Sequence, residues 1–558
     1  MQNRIFNLVI IGGGTAGLVL ANRLTEDAAT HVVVLEAGED LTSDPRVTTP
    51  ALFPTLLGSD ADWNTPTEPQ EAAGGKRMNI SHGRVLGGSS AINGQAFVAT
   101  SKIGVDTWAA LGNPGWDWDT LSPYFQKAHT LVSPSDPAVR EHLRLDYIDA
   151  NVSGHNGPMQ TSFPDDLGNP LPKAWIETLE RLGHRCTGDP FSGEITGAYT
   201  NAASIDAETR QRSYSASAYL QPVRHRPNLH VVTGATVQKI VLDNGETMTV
   251  HARDEVILYA GTLHSPKLLE LSGIGDARLL NELGIPVIID NKYVSENLQD
   301  HPMTGFSFEV REGVDAIDDL LRQDPASLQH AMEQYAANKS GPLGVGGIFS
   351  YALLALQEAL SEEGRANIRK LSQTSTYPED QHPLEPAHTA FPGHFYSIAI
   401  GLLQPLSRGS VHIRDAEPSS PVKIDPKYLS HPLDLEALAR HMTYIGTIAA
   451  TEPLASLLKP GGRRNAAAPS DLSDLAAVRE YVRATVLSSW HPTSTCAMLP
   501  AALGGVVSPR LVVHGTRNLR VVDASVFPVT TRGNPMATVY AVAERAADLI
   551  KADRGRGR

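Results

Sequence analysis

Cysteine is nearly missing from this chain: 558 residues contain two, Cys186 and Cys496. A pair so far apart supplies neither a disulfide framework nor the clustered thiolates of a metal centre, so no metal site is expected. Long apolar runs are missing too, and none approaches the roughly 20 residues that a membrane-crossing helix needs. Basic charge is short, with 47 Lys and Arg against 61 Asp and Glu and a net charge of −14, which argues against a grip on nucleic acid or on an anionic membrane. The tail Lys551 to Arg558 is weakly basic and reads as a solvated terminus. What remains is 41% hydrophobic, ordinary for a globular protein, and long enough for two or more domains.

The first forty residues organise the rest. Leu8 to Ile11 is a short apolar run suited to a buried parallel strand. Gly12, Gly14 and Gly17 follow, where a tight turn, a close approach to pyrophosphate and a close helix–strand contact each favour glycine. The expected helix, Ala16 to Asp27, aims the positive end of its dipole at the phosphates, with Thr15 and Ala16 in its first turn. A second strand, His31 to Leu35, ends on Glu36 and Ala37, where the acid can accept hydrogen bonds from ribose hydroxyls. Together these predict a site for an adenosine diphosphate moiety. Arg4 ahead of the apolar run superficially suggests a secretion signal, but the nucleotide motif occupies that run, so an intracellular, cytoplasmic enzyme is expected.

Downstream, Ser81 to Ala96 is dense in Gly and Ser, a composition suited to backbone wrapped closely around a ligand. Helices are expected over Asp119–Ala128, Leu171–Leu182, Ser213–Leu220 and Ala537–Lys551, and strands over Leu229–Thr233, Val237–Leu242, Glu255–Tyr259 and Ser410–Arg414. The expected division gives 1–157, 198–311 and 488–558 to a discontinuous nucleotide domain of Rossmann-like α/β type. It leaves 158–197 and 312–487 to a substrate domain of antiparallel sheet plus helices.

Five segments in order resemble the glucose-methanol-choline (GMC) oxidoreductase family, flavoenzymes that use FAD, over nearly the full length. They are the opening glycine motif, Gly83–Gly94, Gly261–Gly275, Asn297–Pro302 and Val522–Ser525. The resemblance implies that Arg84, Gly88, Ser89, Asn93, Gly94 and Ala96 line the pyrophosphate and flavin, with Val237 at the adenine. Asp523 and Ala524 would lie near the pyrophosphate or ribityl chain, and Asn534, Pro535 and Met536 at the pyrimidine end of the ring. Some members carry a flavin-linked histidine in the first signature. Ile92 stands there, so FAD is expected to be held without a covalent bond. Two departures stand out: Ser295 and Ser494 occupy positions where Gly is usual, and the segment Asp243–Arg253 is short.

Ser489–Thr495 looks like the family's His-Pro-x-Gly-Thr motif, which makes His491 the base that takes a hydroxyl proton while the carbon passes hydride to flavin N5. The second catalytic position falls on Asn534 counting from His491, or on Met536 counting back from the final helix; Asn534 could also cap that helix. Arg532 is a candidate cation facing a carboxylate-bearing substrate, or a plain salt-bridge residue. His301 and Asp300 read as structural or cofactor-adjacent. Aromatic residues Phe349, Tyr351, Phe391, Phe395 and Tyr396 either line an apolar substrate pocket or form ordinary core. The resulting expectation is oxidation of a primary alcohol, aryl or otherwise small, with O2 as the simplest acceptor giving peroxide, by a monomer or homodimer. Alternatives are a formate oxidase-like activity, in which an arginine is the second catalytic residue, and a hydroxynitrile lyase on the same fold.

Overall fold

The computed structural model describes residues 5–164, 167–186, 188–241, 250–314, 318–322, 324–347, 350–354 and 394–556. The nucleotide body is built on β1 (Ile5–Ile11), α1 (Thr15–Leu24), β2 (Val32–Leu35), β3 (Leu229–Val232), β4 (His251–Leu258), α2 (Gly261–Leu271), β5 (Leu519–Val521) and α3 (Met536–Arg556). The five strands form one parallel sheet in the order β5-β4-β1-β2-β3. Strand order reverses around β1 and β4, and their carboxyl ends open the crevice in which doubly wound folds bind ligands. β1 and β2 are Val-, Ile- and Leu-rich because both sheet faces are covered: Leu8, Ile10, Val32, Val33 and Val34 are fully buried. α1 is buried nearly all round, packed between the sheet and α3.

A second sheet pairs Pro302–Glu309 antiparallel with Phe395–Gly401, in register from Met303 opposite Gly401 to Glu309 opposite Phe395, and adds Leu487–Ser488 at its edge. Alternation puts Phe306 and Ile398 on the face that packs with Leu438, Met442 and Ile445 of the helix Pro432–Ala449, and Phe306 also meets Tyr481. On the other face the Ser307 and Ser397 hydroxyls lie 2.8 Å apart. A separate ribbon joins Gly197–Thr200 to Ser350–Leu353.

Several expectations shift. Pro302–Glu309, given to the nucleotide domain by the expected division, belongs to the second sheet, because its ladder partners are Phe395–Gly401. Val237–Val241 form no strand: the Ile240 amide, which a ladder would use, donates to Ser272 Oγ at 2.8 Å. Leu242, most of the short segment from Asp243, Phe349 and Phe391 lie outside the described residues. The helix expected over Ser213–Leu220 is one wide turn, Ala216–Leu220. The remaining elements fall within a few residues of their expected bounds, as does the last helix, which runs on to Arg556.

Candidate active site

A cavity of about 1600 Å3 runs along the carboxyl ends of β1 and β4 and into the second body. It exceeds the roughly 300–1,000 Å3 of a typical single-ligand pocket, so it has room for a dinucleotide and a substrate together. At its nucleotide end, Gly14 opens α1 without a side-chain cap, which leaves the first amides of the helix for an anion. The backbone there is packed too tightly for side chains: a Cβ on Gly12 would sit 2.0 Å from the Tyr259 carbonyl oxygen, and one on Gly88 2.7 Å from Gly14 Cα. Glu36 Oε2 accepts from the Gly13 amide at 2.7 Å and Oε1 from the Gly38 amide at 2.8 Å. Each oxygen keeps a lone pair for a ribose hydroxyl. Burial pushes this carboxyl above its usual range, against the pull of those amides.

Of the cofactor residues expected from sequence, all but two form the cavity wall, from Gly12, Glu36 and Val237 through Arg84, Ser89 and Asn93 to Asp523 and Met536. Ala16 and Gly17 lie behind it, where a Cβ on Gly17 would meet the Gly12 carbonyl oxygen at 2.1 Å. Arg84 lies over the Trp63 ring at 5.0 Å. Asp523 braces rather than reaches outward: its Oδ2 accepts from the Gly261 amide and Ser265 Oγ at the start of α2. Asn93 donates to Met536 Sδ at 3.1 Å, so Met536 faces the first signature and not His491.

The reacting end is built on the loop Ser489–Thr495. It is pinned on one side by a two-way backbone bridge between Thr493 and Gln299, and on the other by the Ser494 amide donating to the Ala524 carbonyl. Trp490 and Ser494 hold left-handed conformations, φ 57° and 80°, which bend the chain sharply on either side of His491. Asp300 anchors the bend. Its Oδ1 accepts from the His301 amide at 2.8 Å and the His491 amide at 2.9 Å, while Oδ2 accepts from Ser488 Oγ at 2.5 Å and from the Tyr428 hydroxyl.

Hydrogen-bond chemistry then assigns the protons on the two imidazoles. His301 Nε2 lies 3.0 Å from the Thr531 carbonyl, which can only accept, so this nitrogen carries the hydrogen. Neutral His301 therefore presents a bare Nδ1 to His491 Nδ1 at 3.0 Å, and His491 must donate. His491 Nε2 is left as a lone pair. Asn534 Nδ2 lies 3.3 Å from it, and Asn534 Oδ1 accepts from the Tyr351 hydroxyl at 2.7 Å, which turns the amide's donor side toward the histidine. Burial, reinforced by His301, holds His491 well below the ordinary histidine pKa, and burial pushes His301 down to about 4. Both rings are neutral at physiological pH, and the arrangement can accept a proton at one defined atom.

Arg532 stands two residues from Asn534 but makes no contact with His491: its Nε donates to Gln404 Oε1 at 2.8 Å and its amide to Thr100 Oγ1. Sequence reasoning missed the part that His301 and Tyr351 play beside His491 and Asn534. It also missed Arg212, a buried guanidinium that grips the carbonyls of Val47, Ser90 and Asn93 and the Asn93 side chain behind the first signature. His301 stood in the noted Asn297–Pro302 segment, but Tyr351 and Arg212 carried no motif.

A capless helix end, a buried acid beyond β2 and a dinucleotide-sized cleft define a flavin- or nicotinamide-type oxidoreductase. Comparison with known proteins makes the class specific. The N-terminal GMC oxidoreductase model matches residues 6–303 and the C-terminal one residues 405–543, and the chain belongs to the GMC oxidoreductase family, FAD-dependent oxidoreductases. It is 35% identical to dehydrogenase mpl7 of Monascus purpureus, across 99% of this chain and 97% of that protein. Among solved structures, an FAD-dependent oxidoreductase from Chaetomium thermophilum superposes with a TM-score of 0.88 at 30% identity, covering 98% of this chain and 99% of that one. A formate oxidase from Aspergillus oryzae superposes at 0.87 and 27% identity, over the whole of both chains. Among the described residues no helix is long and apolar enough to cross a membrane.

Proposed function

We propose that this chain oxidises a primary alcohol to the aldehyde, with His491 as the base, Asn534 as its partner and FAD bound without a covalent link. The observation that carries the reading is the bare His491 Nε2 with the Asn534 amide donor 3.3 Å away. A hydroxyl entering between them donates its proton to Nε2, while the Asn534 N–H steadies the negative charge that develops on the alcohol oxygen. The proton rests on His491, whose Nδ1–H stays bonded to His301. FAD supplies the two-electron acceptor for the hydride that leaves the carbon. The cofactor would be held by the α1 amides, Glu36 and the Arg84–Ala96 loop, with Asp523 bracing the start of α2. Ile92, buried in the first signature, offers no nucleophile for covalent attachment.

Formate is the weaker reading. Asn534 rather than an arginine adjoins His491, and Arg532 is turned to Gln404. Dioxygen is the proposed acceptor. The test is anaerobic mixing of the yellow protein with benzyl-type and short aliphatic alcohols, a sugar and formate, followed by admission of air. Bleaching by an alcohol with rapid reoxidation and peroxide is expected. Bleaching without rapid recovery makes the enzyme a dehydrogenase, bleaching by formate alone overturns the alcohol reading, and cyanohydrin cleavage without bleaching makes it a lyase.

A further inference from the structure

Arg532 is a cation of the cavity wall that the proton chemistry leaves unused. It is half-buried, and among the described residues no carboxylate lies within ion-pair distance of it. Its Nε is committed to Gln404 Oε1, and Gln404 also lines the cavity at the end of the strand Phe395–Gly401. That bond fixes the plane of the guanidinium, and the amide bond to Thr100 Oγ1 fixes the backbone beneath it. The two Nη groups have no partner among the described residues. Two parallel N–H donors on a braced guanidinium match the two oxygens of a carboxylate end-on.

The surroundings favour the same ligand. His491 and its brace His301, at the same end of the cavity, are held neutral at physiological pH by burial, so they do not compete for an anion. Asp300 already has four donors and is fully enclosed. The chain as a whole carries −14, so an anion gains nothing from the general field and must be held by a local cation. Arg532 lies two residues from Asn534, at the reacting end of the cavity and not at the α1 end where the phosphates are expected.

Building on the alcohol reading, we infer that the substrate is an alcohol bearing a second, non-reacting carboxylate, which the Arg532 guanidinium binds while His491 and Asn534 engage the hydroxyl. Arg532 is then a specificity residue and not a member of the proton-transfer pair. The reaction balances as before: the carbinol loses a proton and a hydride, and the carboxylate is unchanged.

The test compares carboxylated alcohols of increasing reach, 3-hydroxypropanoate, 4-hydroxybutanoate, 6-hydroxyhexanoate and 4-(hydroxymethyl)benzoate, each with its neutral amide. For at least one pair kcat/KM should favour the carboxylate by tenfold or more. That ratio should fall about 10- to 100-fold in Arg532→Gln, the range of a charged hydrogen-bonded contact, and return in part in Arg532→Lys. Amides that match or beat every carboxylate, or a ratio unmoved by Arg532→Gln, overturn the inference. A binding measurement separates it from the alcohol reading: benzoate should perturb the flavin absorbance of the FAD-loaded protein at lower concentration than benzamide, with the difference lost in Arg532→Gln. If no alcohol bleaches the flavin but this difference appears, the alcohol reading fails and the carboxylate site stands; no difference between benzoate and benzamide overturns the site.

Discussion

His301 and His491 face each other through their Nδ1 atoms, 3.0 Å apart with the rings at 83°. The contact is one-directional because the Thr531 carbonyl has already taken the only hydrogen of His301. His301 thus acts through His491, as a positioning residue that fixes the tautomer of the base. In His301→Ala, both tautomers of His491 become available and the imidazolium loses its brace. The rate of flavin reduction by alcohol should fall by about 10²-fold or more, with a smaller change in the apparent Kd for alcohol. Stopped-flow reduction across a pH series reads both. An unchanged rate at every pH would leave His301 as simple packing.

The Asn534 amide is oriented at one end by Tyr351 and serves His491 at the other. Removing the tyrosine hydroxyl frees the amide to flip, so Tyr351→Phe should cost about 1 kcal/mol of transition-state stabilisation, and Asn534→Ala about 2–3. Because both act through one amide, the double variant should be no slower than Asn534→Ala alone. Multiplicative losses in a double-mutant cycle on the reduction rate would separate the two residues.

Much of this was legible in sequence, for physical reasons. The nucleotide cleft follows from local rules, since Gly12 and Gly17 are demanded by backbone approaches of about 2 Å, Gly14 by the Tyr259 ring 3.0 Å from where a Cβ would stand, and Glu36 by the end of β2. His491 was legible through the resemblance of Ser489–Thr495 to the family's His-Pro motif, not from a local physical rule. The choice between Asn534 and Met536 was not, because both lie at the entrance to α3 and only the facing groups, His491 and Asn93, tell them apart. Tyr351 was hidden for a similar reason: its strand is paired with Gly197–Thr200, and what it reaches depends on how two bodies meet.

The histidines predict a stability optimum bounded on both sides. Burial lowers His82, His129 and His301 to about 4, so the unfolded chain binds more protons than the folded one between about 4 and the ordinary histidine pKa near 6.5. Their contribution is complete above that ordinary value and is lost as pH falls toward 4. His412 has the opposite sign. Burial opposes its charge, but bonds to Glu270 and Glu296 raise it to about 9, so its contribution is complete below 6.5 and is lost as pH rises through 9. Denaturant midpoints measured from pH 4 to 10 should peak between these limits. His412→Asn should flatten the alkaline side alone, and an equal change on the acid side would contradict the assignment.

Ser295 offers the opposite kind of change, a gain. It stands where the family resemblance leads one to expect Gly, and it holds φ 73°, a left-handed conformation that costs a residue with a Cβ about 1–2 kcal/mol. Its hydroxyl is buried without a hydrogen-bond partner, a further penalty of about 1 kcal/mol or more. Glycine removes both terms and returns about 0.4–1 kcal/mol through the greater freedom of the unfolded chain. Ser295→Gly should therefore stabilise the protein by about 1–2 kcal/mol. Ser494 is also left-handed, at φ 80°, but its hydroxyl meets Thr493 Oγ1 at 3.0 Å, so Ser494→Gly gives up a contact and should gain less. Thermal and chemical unfolding of the two variants side by side gives the ranking, and a Ser295→Gly protein no more stable than the parent would show that the strain is relieved elsewhere in the loop.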